Sequence, residues 1–301
     1  MKIREKIKDW YVNYTKLKWT VGVADFDPDA ILDPGKRLNI HWVKHKNKGS
    51  WFADPFILSV TEDFVFILVE EFVYSANKGR ISRLKVNRHS WELEKIDPVI
   101  EQGTHLSFPA YYRKNGKVYI YPENSQSGKL SLFEYDEDSG VAAKVGVLSN
   151  CPLADAVIWQ MDGKKVVMAT TSPDDNGRVL DIYPYHEIQP REKEEPVERI
   201  SFPERIARNA GMPFDIQGRL FRPAQDCARR YGESVIIQEV SRTDEGFQFK
   251  EVKRFYSPLT SHSVAFHTFN VFEDKYIAVD AEGMRNGLLA DLFYKLREKV
   301  R

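Results

Sequence analysis

Five times along this chain a short apolar strand carrying a polar residue leads toward a Gly- or Asp-marked turn and a second strand. The segments are Ala53-Asp54-Pro55-Phe56-Ile57, Ser107-Phe108-Pro109-Ala110-Tyr111, Ala154-Asp155-Ala156-Val157-Ile158, Phe221-Arg222-Pro223-Ala224-Gln225 and His267-Thr268-Phe269-Asn270-Val271. Their lead polar residues are spaced by 53, 48, 67 and 45 residues. A recurrence of this length among alternating strands is the mark of radial β architectures, in which each unit is a four-stranded blade that needs neighbours to bury its faces. The pattern predicts an all-β chain folded as a five-bladed β-propeller.

Second strands at residues 64–71, 118–123, 165–170 and 276–280 follow polar turns, so each of these units opens with a hairpin. The fourth unit is irregular, because residues 226–233 are polar where the others have a short turn.

The ends break the pattern. Residues 1–18 hold six basic side chains (Lys2, Arg4, Lys6, Lys8, Lys16 and Lys18) against Glu5 and Asp9, with Trp10, Tyr11, Tyr14 and Leu17 at helical spacing. In the tail, Leu289, Leu292, Phe293 and Leu296 form one stripe with a basic end. These features predict short helical N- and C-terminal extensions: a basic one over 1–20, the propeller over 21–285 and an amphipathic helix over 286–301. Such ends either pack on the propeller or lie on an anionic leaflet.

Zero formal net charge over 301 residues argues against bulk nucleic-acid binding. Cys151 and Cys227 cannot form a disulfide framework, and neither a secretory signal nor a spanning apolar run is visible. The expectation is a reduced cytoplasmic protein, peripheral to the inner face of the membrane if its ends engage lipid.

In a propeller the first strand of each blade lines the central channel, so Asp54, Ser107, Asp155, Arg222 and His267 should converge there. Strand ends would bring Glu70, Glu71 and Glu123 to the same mouth. Carboxylates gathered in a low-dielectric cleft have their pKa values pushed apart, which is what glycosyl chemistry requires. Any one of them could instead be a turn residue or a solvated strand end.

These residues carry a family resemblance. Ala53-Asp54-Pro55-Phe56-Ile57 resembles the catalytic-base motif of the five-bladed family 43 glycoside hydrolases (arabinanase and furanosidase-like), and Leu153-Ala154-Asp155-Ala156 resembles their pKa-modulating segment. Trp51 to Phe56, Glu70-Glu71, His105 to Pro109, Tyr121-Pro122-Glu123, Pro152 to Ala156, Arg222 to Cys227, Tyr231-Gly232 and His267 to Asn270 together resemble the N-terminal propeller domain of plant glucosamine inositolphosphorylceramide transferases and its stand-alone bacterial relatives.

The hydrolase family supplies its general acid from a Glu-Gly-Pro motif in the fourth-blade region, and this sequence contains no such tripeptide. The stretch matched to it offers Arg222, Gln225, Asp226, Arg229 and Arg230 instead. An alkoxide leaving group needs a proton donor, whereas a nucleoside diphosphate leaves as a stable anion helped by a cation. The resemblance therefore implies a glycosyltransferase of polysaccharide or glycolipid synthesis, taking a nucleotide-activated sugar, furanose in one version, and a glycan or glycolipid acceptor.

In that reading Asp54 is the base or nucleophile and Asp155 tunes it. Glu71 and Glu123 bind hydroxyls or take the acceptor proton, and Glu70, Ser107, Gln225, Asp226, Arg230 and Trp51 line the substrate. Arg222 meets the donor phosphate, while His267 closes the channel floor or assists a divalent cation, the one cofactor the reading leaves room for. Two alternatives stay open: a furanosidase-type hydrolase with Glu123 or Asp226 as acid, and a non-catalytic sugar-binding module using Trp51 and Trp159. No zinc or other metal-ligand set is expected, since His41 and His45 lack a third partner.

Overall fold

The computed structural model describes residues 17–161, 164–185, 195–244 and 246–284. Most of the basic N-terminal segment, the C-terminal stripe and the charged connection at 186–194 lie outside the described residues. The chain begins with β1 (Leu17–Asp25), the short helix α1 (Pro28–Leu32) and β2 (Ile40–Trp42). Blade I follows as β3 (Ser50–Val60), β4 (Phe64–Val73), β5 (Lys78–Asn87) and β6 (Leu93–Ile100). Blade II is β7 (Tyr111–Lys114), β8 (Lys117–Ile120), β9 (Leu130–Asp136) and β10 (Val141–Ser149), and blade III is β11 (Leu153–Met161), β12 (Lys164–Thr171), β13 (Val179–Pro184) and β14 (Glu198–Ser201). Blade IV comprises β15 (Phe214–Ile216), β16 (Arg219–Asp226), β17 (Ser234–Thr243) and β18 (Gly246–Phe255). Blade V takes β19 (Phe269–Phe272) and β20 (Tyr276–Met284) from the end of the chain and β1 and β2 from its start.

These are five four-stranded antiparallel sheets, the expected propeller. The ring is closed by β1 pairing with β20 from Leu17↔Met284 to Asp25↔Tyr276. Residues 17–20 are thus strand, and the boundary expected at residue 20 moves back accordingly: Trp19 and Val21 are buried, which only a paired strand can achieve here. Apolar faces of successive blades fill the space between them, for example where Phe56 of blade I meets Phe108 edge-on at 5.0 Å. Each such aromatic buried from water contributes roughly 1.5–3 kcal/mol.

Blade IV departs from the expected phase. Phe221-Arg222-Pro223-Ala224-Gln225 lies in β16, the second strand, after a hairpin turn in which Gln217 and Gly218 take φ of 55° and 78°. The inner position belongs to β15 and the stretch before it, where Asn209 bridges to Ala224. With Arg208 in place of Arg222 as the lead residue, the steps become 53, 48, 53 and 59.

Candidate active site

The inner strands of blades I and III are built alike. Pairing with the second strand is interrupted between Ala53 and Phe56 and between Ala154 and Val157. At these bulges Asp54 and Asp155 take φ of 50° and 44°, and Phe108 of blade II takes 41°. A bulge re-aims a side chain, and left-handed backbone at a non-glycine residue persists only where its surroundings enforce it. Repeated in three blades, this strain makes the channel head the candidate site.

Asp54 is held from blades II and V. Its Oδ2 accepts the Phe108 N–H at 2.9 Å and its Oδ1 accepts the Thr268 hydroxyl at 3.2 Å. His267 Nε2 lies 3.7 Å from Oδ1, while His267 Nδ1 faces Asp280 Oδ1 at 2.9 Å. Asp280 also accepts the N–H groups of Asp54, His267 and Thr268. Burial pushes Asp54 up to about 6, opposed by His267 and reinforced by the charges of Asp155 and Asp280. Burial disfavours the His267 cation, yet Asp280 and Asp54 prevail and push it up to about 9.

Asp155 is gripped by blade IV. Arg208 Nε donates to its Oδ2 at 2.6 Å, and Arg208 Nη2 reaches Glu123 Oε2 at 3.1 Å. Glu123 Oε2 in turn accepts the Asp155 N–H at 3.0 Å, and Gln225 Nε2 donates to Asp155 Oδ2 at 2.6 Å. Burial pushes Asp155 up to about 7 against the pull of Arg208, with the Glu123 carboxylate adding to the rise. Tyr231, 40% exposed, joins the two halves: its ring stands edge-on to His267 at 5.3 Å and beneath the Arg208 guanidinium at 5.4 Å.

Glu70, at the inner end of β4, is buried with Oε1 3.2 Å from His105 Nε2. Burial pushes it up to about 7, with the His105 imidazole pulling the other way.

The remaining expected residues fall elsewhere. Glu71 cannot share the channel with Glu70, because successive strand residues face opposite sides; it accepts from Ser50, Ser82 and Arg80 at 2.7, 2.7 and 2.9 Å. Arg222 is buried inside blade IV, bonded to Asn209 Oδ1 at 2.9 Å, Gln238 Oε1 at 2.7 Å and Ala207 O, with Phe202 and Phe249 flanking its guanidinium. A phosphate cannot reach it there. Asp226 is engaged with Arg254 and Ser234, and Arg230 pairs with Glu233 at 3.4 Å. Ser107 pairs through its backbone with Glu123. Trp51 stacks on Phe72 at 4.8 Å, and Trp159 leans on Phe247 at 5.8 Å.

Arg208, Asp280, Thr268 and Tyr231 carry the site without having been expected there. Asp280 had a signal: it is the acidic residue that follows the apolar run of the second strand of its unit, as Glu70 and Glu123 follow theirs. Asp54, His267 and Asp280 each offer a ligand atom within 4.8 Å of the others, the set among the described residues suited to a cation. Their oxygens are already occupied by N–H and O–H donors, and the His267 charge fills the cationic role. No helix among the described residues is long and apolar enough to cross a membrane.

A family model described as Glucosamine inositolphosphorylceramide transferase 1, N-terminal, matches residues 40–279. The chain belongs to this family. Glucosamine inositolphosphorylceramide transferase 1 of Oryza sativa subsp. japonica is 29% identical over 211 residues, covering 67% of this chain and 28% of that protein. Its Arabidopsis thaliana namesake is 24% identical over 318 residues, covering 92% of this chain and 40% of that protein. The chain therefore spans well under half the length of these relatives. Among solved structures, the GH43_1 enzyme from Xanthomonas citri superposes with a TM-score of 0.54 at 12% identity, over 79% of this chain and 88% of that one. The exo-beta-1,3-galactanase from Phanerochaete chrysosporium bound to galactose gives 0.52 at 8% identity, over 71% and 53%. These likenesses share the propeller fold.

Proposed function

We propose that this chain is a glycosyl-transferring enzyme whose channel head holds the sugar, with Asp54 facing the anomeric carbon and Asp155 tuning it. The observation that carries the reading is the convergence of two strained, buried aspartates from blades I and III, close enough that the Asp155 charge raises Asp54. Asp54, with a cationic His267 behind it and two donors on its oxygens, suits stabilisation of positive charge growing on a sugar ring.

Arg208, the lead residue of blade IV, supports transfer from a phosphate-activated donor to a glycan or glycolipid acceptor. An arginine cannot protonate an alkoxide leaving group at neutral pH, and a phosphate needs no proton. Its guanidinium answers Asp155, Glu123 and Asp175, so it offsets carboxylate charge where an anionic donor would approach. The names of the family and of its rice and Arabidopsis relatives, inositolphosphorylceramide transferases, agree with a glycolipid acceptor. Hydrolysis is the second reading, favoured by Glu70, which burial pushes up to about 7 so that it can hold a proton near neutrality.

The test is a panel of nucleoside-diphosphate sugars with glycolipid acceptors. Asp54→Asn keeps the shape and removes the charge, so turnover should fall at least about 10²-fold while thermal stabilisation by the donor survives. Undiminished turnover in Asp54→Asn would defeat the proposal.

A further inference from the structure

We propose that Glu70 is the carboxylate that exchanges a proton with the acceptor hydroxyl, and that His105, braced by Gly79, is the residue that positions it. The assignment rests on the glycosyl-transfer reading above.

Three elements of the blade I to II junction meet at this carboxylate. β4 contributes Glu70, β5 contributes Gly79, and the connection after β6 contributes His105. The Gly79 N–H donates to His105 Nδ1 at 3.0 Å, and the Leu106 N–H returns a bond to Gly79 O at 3.1 Å. An imidazole nitrogen that accepts a backbone N–H carries no proton, so the ring proton sits on Nε2, the atom 3.2 Å from Glu70 Oε1. A Cβ on residue 79 would fall 2.8 Å from Glu70 Oε1 and 2.4 Å from Leu106 O, so only glycine fits the brace.

Glu70 Oε1 is buried, and the His105 Nε2–H 3.2 Å away is not aligned on it as a hydrogen bond, so this oxygen has no donor in line with it among the described residues. Every other buried carboxylate around Asp54 and Asp155 is saturated: Asp280 by backbone N–H groups, Glu123 by Arg208 and the Asp155 N–H. A buried acceptor left without a donor costs free energy unless a ligand supplies one, and a sugar or lipid hydroxyl is such a donor. The titratable groups facing Glu70 are His105 from the connection, Asp54 from β3 and His267 from blade V. Burial outweighs them, so the carboxylate gains and loses its proton close to neutrality, where a proton-transfer group works best.

The step balances as follows. Ionised Glu70 takes the acceptor O–H proton while the acceptor oxygen forms its bond to the anomeric carbon. The bond from that carbon to the donor phosphate oxygen breaks, and its electron pair leaves with the phosphate. Glu70 then returns the proton to water.

The experiment uses the full chain with carboxyl-labelled glutamate, followed by infrared titration alongside the donor panel. One glutamate should titrate near neutral pH and vanish in Glu70→Gln. His105→Gln, which keeps an N–H donor, should leave that titration in place, whereas His105→Leu should move it up by about one pH unit, since a donor favours the anion. Turnover should rise with pH through the same range, and Glu70→Gln should lose that limb and at least about 10²-fold in rate. A glutamate titration in the ordinary acid range, or an unmoved one in His105→Leu, overturns the positioning. An active panel with a flat or falling limb overturns the base role of Glu70 alone; a falling limb marks it as the acid of a hydrolase. An inert panel with the titration intact overturns the glycosyl-transfer reading, and this role with it.

Discussion

Two arginines of blade IV sit fourteen residues apart, both almost fully buried, and serve opposite ends. Arg208, on the inner stretch, meets Asp155, Glu123 and Asp175, so its charge is matched and its guanidinium ties blades II, III and IV together. Arg222, on the second strand, meets no carboxylate among the described residues; amide oxygens, one carbonyl and two aromatic rings surround it. Burial drags Arg222 down to about 9, while Arg208 is held well above the usual guanidinium range despite burial, by Asp155, Tyr231 and Glu123. Counter-charge, and not residue type, separates an arginine that organises a reactive site from one that braces a blade. They are linked all the same: Arg222 Nε holds Asn209 Oδ1, and Asn209 Nδ2 donates to Asp155 O at 2.9 Å.

The largest expected effect comes from breaking the matched member. Arg208→Met leaves Asp155 and Glu123 buried without their cation, which costs about 3–5 kcal/mol at neutral pH. The loss should shrink on acidification, because Asp155 then takes up a proton and needs no partner. Urea unfolding at pH 5 and pH 7.5 checks this, and an equal loss at both would mean that Arg208 acts by packing alone.

Next in size is the pH dependence that the raised carboxylates impose. Glu70 and Asp155 are pushed up to about 7 and Asp54 to about 6, all above their unfolded values, so the folded state holds more protons across this interval. Stability contributed by their protonated forms is complete at low pH and lost as pH rises through the folded values. The wild type should therefore lose stability between pH 5 and 7.5, with Glu70 responsible for about 2 kcal/mol of the fall. His267, raised to about 9, extends the loss to higher pH. Glu70→Gln should flatten the curve, and parallel curves for variant and wild type would remove Glu70 as the cause.

The same contrast explains what could be read from the sequence. Blades I, II, III and V announce themselves because one polar residue interrupts an apolar run, as Asp54 does between Ala53 and Phe56. In blade IV the inner stretch, Ala207-Arg208-Asn209-Ala210-Gly211-Met212, is made of small and polar residues with no apolar run to interrupt. Phe221-Arg222-Pro223-Ala224-Gln225 mimics the Asp54 segment instead, down to the proline, and drew the reading one strand outward. Glu70 and Glu71 were indistinguishable as neighbours in sequence; only the pairing of Glu71 with Arg80 and two serines settles which one faces the channel. Arg208 itself was illegible, since its three acidic partners come from blades II and III and no local pattern records them.

The smallest effect sharpens the comparison most. Arg222→Lys keeps a cation and one or two donors but cannot span Asn209, Gln238 and Ala207 together, so it should cost about 1–2 kcal/mol. Because Arg222 stays charged below about 9, that cost should be the same at pH 5 and pH 7.5, unlike the loss in Arg208→Met. Sequence alone marked Arg222 as the phosphate partner, which would make Arg222→Lys weaken a nucleotide sugar far more than the free sugar. Its burial between Phe202 and Phe249 gives the opposite expectation: both affinities change by the same small factor, through Asn209 and the Asp155 carbonyl it supports. Calorimetric titration with the two ligands decides the matter. A selective loss of the nucleotide sugar would return Arg222 to the donor site and dissolve the distinction between the two arginines.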